Sequence, residues 1–152
     1  MARLPDPAAA ARLRKFTLAV LVLNVVAAGI AIVVNLPAQF GGVGTDASEE
    51  FLTRGTAISA PALPVVLMLL VLLLVTRRDR WGWLGIGLAL LTAVTVGVGG
   101  FGEMAAEPTA DTSKAVLTAA GIAWLVVAAV LIALATTATV RSRNVGEVDS
   151  PR

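Results

Sequence analysis

The stretch FTLAVLVLNVVAAGIAIVVNL, Phe16 to Leu36, decides the fold, because twenty-one residues pass without a formal charge. As a helix rising about 1.5 Å per residue, it is long enough to cross a hydrocarbon core of roughly 30 Å. Arg3, Arg12, Arg14 and Lys15 precede it, so a cleaved signal peptide is the rival reading. The apolar run exceeds the roughly 7 to 15 residues of a signal core, which favours a retained span.

Three further runs repeat the pattern. The second span is expected over about Ala57–Val75, with Pro61 and Pro64 in its first turns, where missing N–H donors cost least. The third covers Trp81–Phe101 and the fourth Ala115–Val140. The whole is an all-α, four-helix transmembrane bundle over residues 16–140, after a basic segment 1–15 and before a polar tail 141–152 expected to be disordered. In the first outer loop, which also holds Gly41, Gly42 and Gly44, Asp46 can cap a short interfacial helix ending near Gly55. Asp111 or Thr112 can cap the last span.

Composition agrees. Of 152 residues, 57% are hydrophobic and 14% charged, with a mean hydropathy of +0.87, too apolar for a water-covered surface of this size. The basic residues flank the apolar runs and form no continuous face, so nucleic acid is not expected as a partner. With the N-terminus inside, Arg3, Arg12, Arg14, Lys15, Arg77, Arg78, Arg80, Arg141, Arg143 and Arg152 are cytoplasmic, leaving only Arg54 and Lys114 outside. The positive-inside rule therefore predicts both termini in the cytoplasm of one fixed orientation, in a cell (inner) membrane. The arginine-rich, alanine-rich and valine-rich usage hints at a GC-rich bacterial genome.

The chemical inventory is thin. Without Cys, His or Tyr there are no disulfides, thiol chemistry or His-ligated metals, and no cofactor or catalytic set is expected. None of the spans carries an ionisable residue in its middle, which disfavours coupled transport and intramembrane proteolysis. The Gly41-Gly42-Val43-Gly44 run lacks the Lys-Ser/Thr ending of a phosphate-binding loop. Glu103 and Glu107, four apart, would share a helical face if the third span ran past Phe101. Two carboxylates fall short of the six or more oxygens that calcium takes, so no metal site is expected.

The polar residues within the spans are the remaining candidates. Asn24 and Asn35 are placed on one face of the first helix, with Asn24 near the midplane, where an amide must turn to other helices or a wet cavity. In the third span Gly85, Ala89, Thr92 and Gly99 recur at helical spacing with Thr95 beside them. In the fourth, Gly121 and Ala128 mark a similar seam. Hydroxyls bonded to the preceding turn make Thr92 and Thr95 packing residues before path-lining ones. Trp124 lies too deep for an interfacial belt and reads as a packing wedge, or as facing a cavity. Trp81 and Trp83 are interfacial anchors, with Arg77, Arg78 and Arg80 beside them. The expected function is that of a non-enzymatic accessory, scaffolding or assembly subunit that packs against a membrane-protein partner or its own copies. A passive channel or uncoupled small-solute carrier, lined by Asn24, Thr92 and Thr95 in an oligomer, is the alternative.

Overall fold

A computed structural model describes residues 5–42, 46–109 and 112–148, with side chains described as far as residue 139. Arg3, Gly44, Asp111 and Arg152 lie outside the described residues, as do the side chains of Arg141 and Arg143. The described chain is all-helical: α1 Pro7–Val33, α2 Ala47–Glu50, α3 Ala62–Leu74, α4 Arg80–Ala105 and α5 Lys114–Val148. Three of these, α1, α4 and the Lys114–Thr139 part of α5, are long and apolar enough to cross a membrane.

Every boundary has a local cause. α1 starts nine residues before the expected span, because Asp6 accepts the Ala8 N–H at 2.9 Å and Pro7 occupies a first-turn position where no N–H is needed. Residues 7–15 are therefore helical and carry Arg12, Arg14 and Lys15 exposed, while Leu13 is buried. The helix stops at Val33, not Leu36. Asn35 takes the left-handed conformation (φ 47°), the Leu36 N–H returns to the Ala31 carbonyl at 2.8 Å, and the Asn35 N–H bonds Ile32 at 3.3 Å, a Schellman closure. Asn35 thus does not share a helical face with Asn24.

The second apolar helix is shorter than the expected span and begins at Ala62. A helix starting at Ala57 would need the N–H that Pro61 lacks and would press its ring on the Ala57 carbonyl. With Pro61 as cap and Pro64 in the first turn, neither missing donor is required. Residues 56–61 consequently enter the bundle without helical bonds. At the other end of the chain, α5 runs through Arg141 to Val148 where an unstructured tail was expected. A helix already nucleated propagates at one bond per residue, and Gly146 is too late to end it sooner. Ser113, and not Thr112, caps α5, its Oγ accepting from the Val116 N–H at 3.4 Å, while Asp111 lies outside the described residues.

The long helices form a ring in which α4 packs on α3 and α5, and α1 on α5 and α3. One end, the turn end, unites three segments: the Asp6 N–H reaches the Ala138 carbonyl at 3.3 Å, and Gly82 leaves room for Pro5 and the Arg77 carbonyl. At the other, the loop end, residues 34–61 meet residues 102–113. Leu13, Met68, Val71, Val75, Val96 and Leu131 fill the centre. The outside is equally apolar: Leu23, Leu73, Val94, Val98, Phe101 and Val126 are each more than half exposed.

Two close approaches hold α4. A Cβ on Gly85 would lie 2.6 Å from the Val75 Cα, so glycine lets α4 fold back on α3, with Ala89 buried in the next turn. Gly100 and Gly121 face each other across α4 and α5. A Cβ on Gly100 would lie 2.7 Å from the Trp124 Cβ and 2.9 Å from the Gly121 carbonyl oxygen. Ala128 continues this seam beside Gly97. Gly99 does not belong to it, since a Cβ there meets nothing within 4 Å. Gly100→Val is therefore expected to lower stability by roughly 1–3 kcal/mol through overpacking, whereas Gly99→Ala leaves the melting temperature of the detergent-solubilised chain unchanged or raised. Thermal melting followed by circular dichroism checks both.

Candidate binding site

The irregular segment 56–61 sets the interior of the loop end. Asn24, 1% exposed, grips the Ala60 peptide on both sides: the Ala60 N–H donates to Asn24 Oδ1 at 2.7 Å, and Asn24 Nδ2 donates to the Ala60 carbonyl at 3.5 Å. Nine residues separate Asn24 from Val33, so this peptide lies about 13 Å inside the α1 terminus. Thr56 and Ser59 close the segment on itself with an Oγ1···Oγ contact of 2.8 Å, and the Ala57 N–H bonds the Leu36 carbonyl at 3.1 Å. A buried peptide without such partners would lose about 1–3 kcal/mol. The expected partner of Asn24 was another helix; it is instead a stretch of non-helical backbone.

Above this segment, Glu103 and Arg54 hold the loop that follows α1. Glu103, on the last turns of α4 and 7% exposed, accepts from the Gln39 N–H at 3.2 Å and the Phe40 N–H at 3.1 Å. Arg54 works on the same loop with the opposite polarity. It donates to the carbonyls of Phe40 at 3.2 Å, Ala38 at 3.5 Å and Gly42, and pairs with Glu50 at 3.2 Å. The Phe40 ring lies over Gly102, where any Cβ would collide with it. Asn35 joins from the side, its Oδ1 accepting the Ala47 N–H at 3.0 Å. Asp46 caps α2, and hydrogen bonds from the Ser48 hydroxyl and N–H hold its carboxyl below the ordinary range. Lys114 donates to the Met104 and Ala106 carbonyls, both at 2.8 Å, closing the end of α4.

Two cavities among the described residues border these segments. The larger, about 550 Å³, runs along α4 from Glu103 and Gly99 to Val94, opposite the start of α3 at Pro61–Pro64, with Arg54 and Phe40 at its mouth. The smaller, about 410 Å³, lies between α1 and α5, where Ala27, Ala119, Ala120 and Ala123 leave a shallow apolar trough beside Asn24. Trp124 borders both.

The sequence candidates separate accordingly. Thr92 is buried and donates to the Leu88 carbonyl at 2.8 Å, while Thr95 donates to the Thr92 carbonyl at 2.9 Å and borders the larger cavity. Trp81 and Arg80 stand exposed at the turn end with the guanidinium 5.6 Å from the ring centroid, Trp83 is half-buried, and Arg77 and Arg78 are exposed. Although α4 does continue past Phe101, Glu103 turns inward and Glu107, beyond the helix, is exposed, so the two do not converge. Among the described residues no cluster of three acidic side chains could hold a metal ion.

The chain matches no protein-family model, no curated protein and no solved structure. Function therefore rests on the residues themselves. By spacing alone, Glu103 is one of two carboxylates too few for a metal site and Arg54 an exception to the charge rule. The one usable signal in the sequence was that exception, a lone arginine kept at the loop end. Replacing Glu103 by Leu is expected to speed hydrogen exchange at the Gln39 and Phe40 amides by at least tenfold, and Gln, which keeps an acceptor, by much less. Asn24→Leu should cost about 1–3 kcal/mol, with the Ala60 amide losing protection.

Proposed function

We infer that the chain is a four-span membrane protein with both termini in the cytoplasm, acting without catalysis as an accessory, scaffolding or assembly subunit. The observation that carries this reading is where the polar side chains are engaged: Asn24, Asn35, Arg54, Glu103 and Lys114 each hold a backbone group of the chain itself. Nothing in that set converges on a point where a substrate atom would react.

The membrane reading is supported by an exterior that water would solvate poorly and lipid would solvate well. α3 alone reaches only about 20 Å at its thirteen residues. The irregular segment 56–61 completes that crossing, and its internal hydrogen bonds meet the condition under which non-helical backbone is tolerated at membrane depth. Arg12, Arg14, Lys15, Arg77, Arg78 and Arg80 collect at the turn end, which is then cytoplasmic. Because Gly85, Gly100 and Gly121 are covered within the chain, a partner helix has the α1–α5 trough to use instead.

A photocrosslinking residue at Ala119 or Ala123 is expected to capture a membrane protein, or a second copy, in native membranes. Only monomer from mild detergent, with no adduct at either position, overturns the assembly role. Tags placing the termini on opposite faces overturn the topology. An oligomeric channel for small solutes is the second reading, favoured by the open cavity beside Thr95. Within one chain Asn24 and Thr92 direct their side-chain hydrogen bonds to backbone groups, and liposome flux unaffected by Thr95→Val would remove this reading.

A further inference from the structure

We propose that the cavity between α3 and α4 is a phospholipid site, with an acyl chain along α4 and the phosphate at Arg54. The proposal rests on the membrane reading above. The cavity is divided as an amphiphile is. Its walls are apolar, with Leu63, Val94 and Val98 each more than half exposed along the outside of the bundle, so it opens sideways to where acyl chains lie. Its length from Glu103 to Val94, nine residues of α4, is about 13 Å. Its two charged side chains, Glu103 and Arg54, stand at one end, while the Thr95 hydroxyl, beside Val94 at the other, is bonded to the Thr92 carbonyl.

Of the two ionisable side chains in the lining, Glu103 faces the Gln39 and Phe40 amides and Arg54 is the cation. The guanidinium is already held in place by loop carbonyls and Glu50, so it is oriented before any anion arrives, and a guanidinium suits a phosphate. Phe40, seated over Gly102, roofs the groove where chain meets head. Gly99 is the most telling residue. It lines the cavity in an ordinary helical conformation, and a side chain added there meets nothing within 4 Å, so packing does not require glycine at that place. A side chain added there would project into open volume.

The test uses the full chain, purified in mild detergent after exposure to vesicles of phosphatidylglycerol or of the matching diacylglycerol. The wild type is expected to retain phosphatidylglycerol in a near-stoichiometric amount through delipidating washes, measured by native mass spectrometry, and diacylglycerol several-fold less. Gly99→Leu, or Val94→Trp should that variant fail to fold, is expected to lose at least tenfold of the retained lipid with an unchanged melting curve. With Trp81→Phe and Trp83→Phe as background, brominated phosphatidylglycerol should quench Trp124 in the parent and markedly less in Gly99→Leu. Equal retention by parent and filled variants overturns the site, as does recovery of detergent or free fatty acid alone. Equal retention of diacylglycerol overturns the assignment of the head to Arg54. Release of the chain from vesicles by alkaline carbonate would instead defeat the membrane reading, so the two failures are distinguishable.

Discussion

A peptide group removed from water must find its hydrogen bonds inside the protein, and at Ala60 that requirement organises half the molecule. Pro61 and Pro64 prevent α3 from starting before Ala62, which leaves residues 56–61 with donors and acceptors that no helix can absorb. Asn24 supplies both sides of a peptide-like pair to Ala60, Leu36 receives the Ala57 amide, and Thr56 and Ser59 answer each other. An amide buried in α1 and two prolines forty residues away are thus parts of one device. Each would be destabilising without the other.

The same logic shapes the loop end. One buried carboxylate takes the N–H groups of residues 39 and 40 and one guanidinium takes carbonyls from the same loop, so opposite charges hold opposite poles of the backbone. A loop held in that way is preorganised and offers a defined mouth to whatever occupies the cavity below it. The exposed apolar flank of that cavity and its charged rim together favour an amphiphile over a wholly polar solute.

Close helix contact supplies the rest of the rigidity. With no hydrophobic drive between helices in lipid, association depends on how near backbones can come, and Gly85, Gly100 and Gly121 set that distance for α4. Using these residues internally leaves the exterior to larger aliphatic side chains and the alanine trough between α1 and α5, which is where an assembly role would be exercised.

The sequence by itself determined the helical class, the long apolar helices and the Asp46 cap of α2, because apolar run length and first-turn chemistry are local properties. Capping was legible at Asp46, whereas the Asp6-Pro7 start of α1 was equally local but is recognised only when helix and hydrophobic run are allowed to differ in length. Tertiary structure alone decided that Asn35 turns into a left-handed stop, that Gly100 and not Gly99 meets α5, and that Glu103 points inward while Glu107 does not. A one-residue difference on a helix is a rotation of about 100°, too fine for small-residue spacing to resolve. Partners for Asn24, Glu103 and Arg54 lie in segments far along the chain, and only the packed arrangement brings those backbones within hydrogen-bond reach.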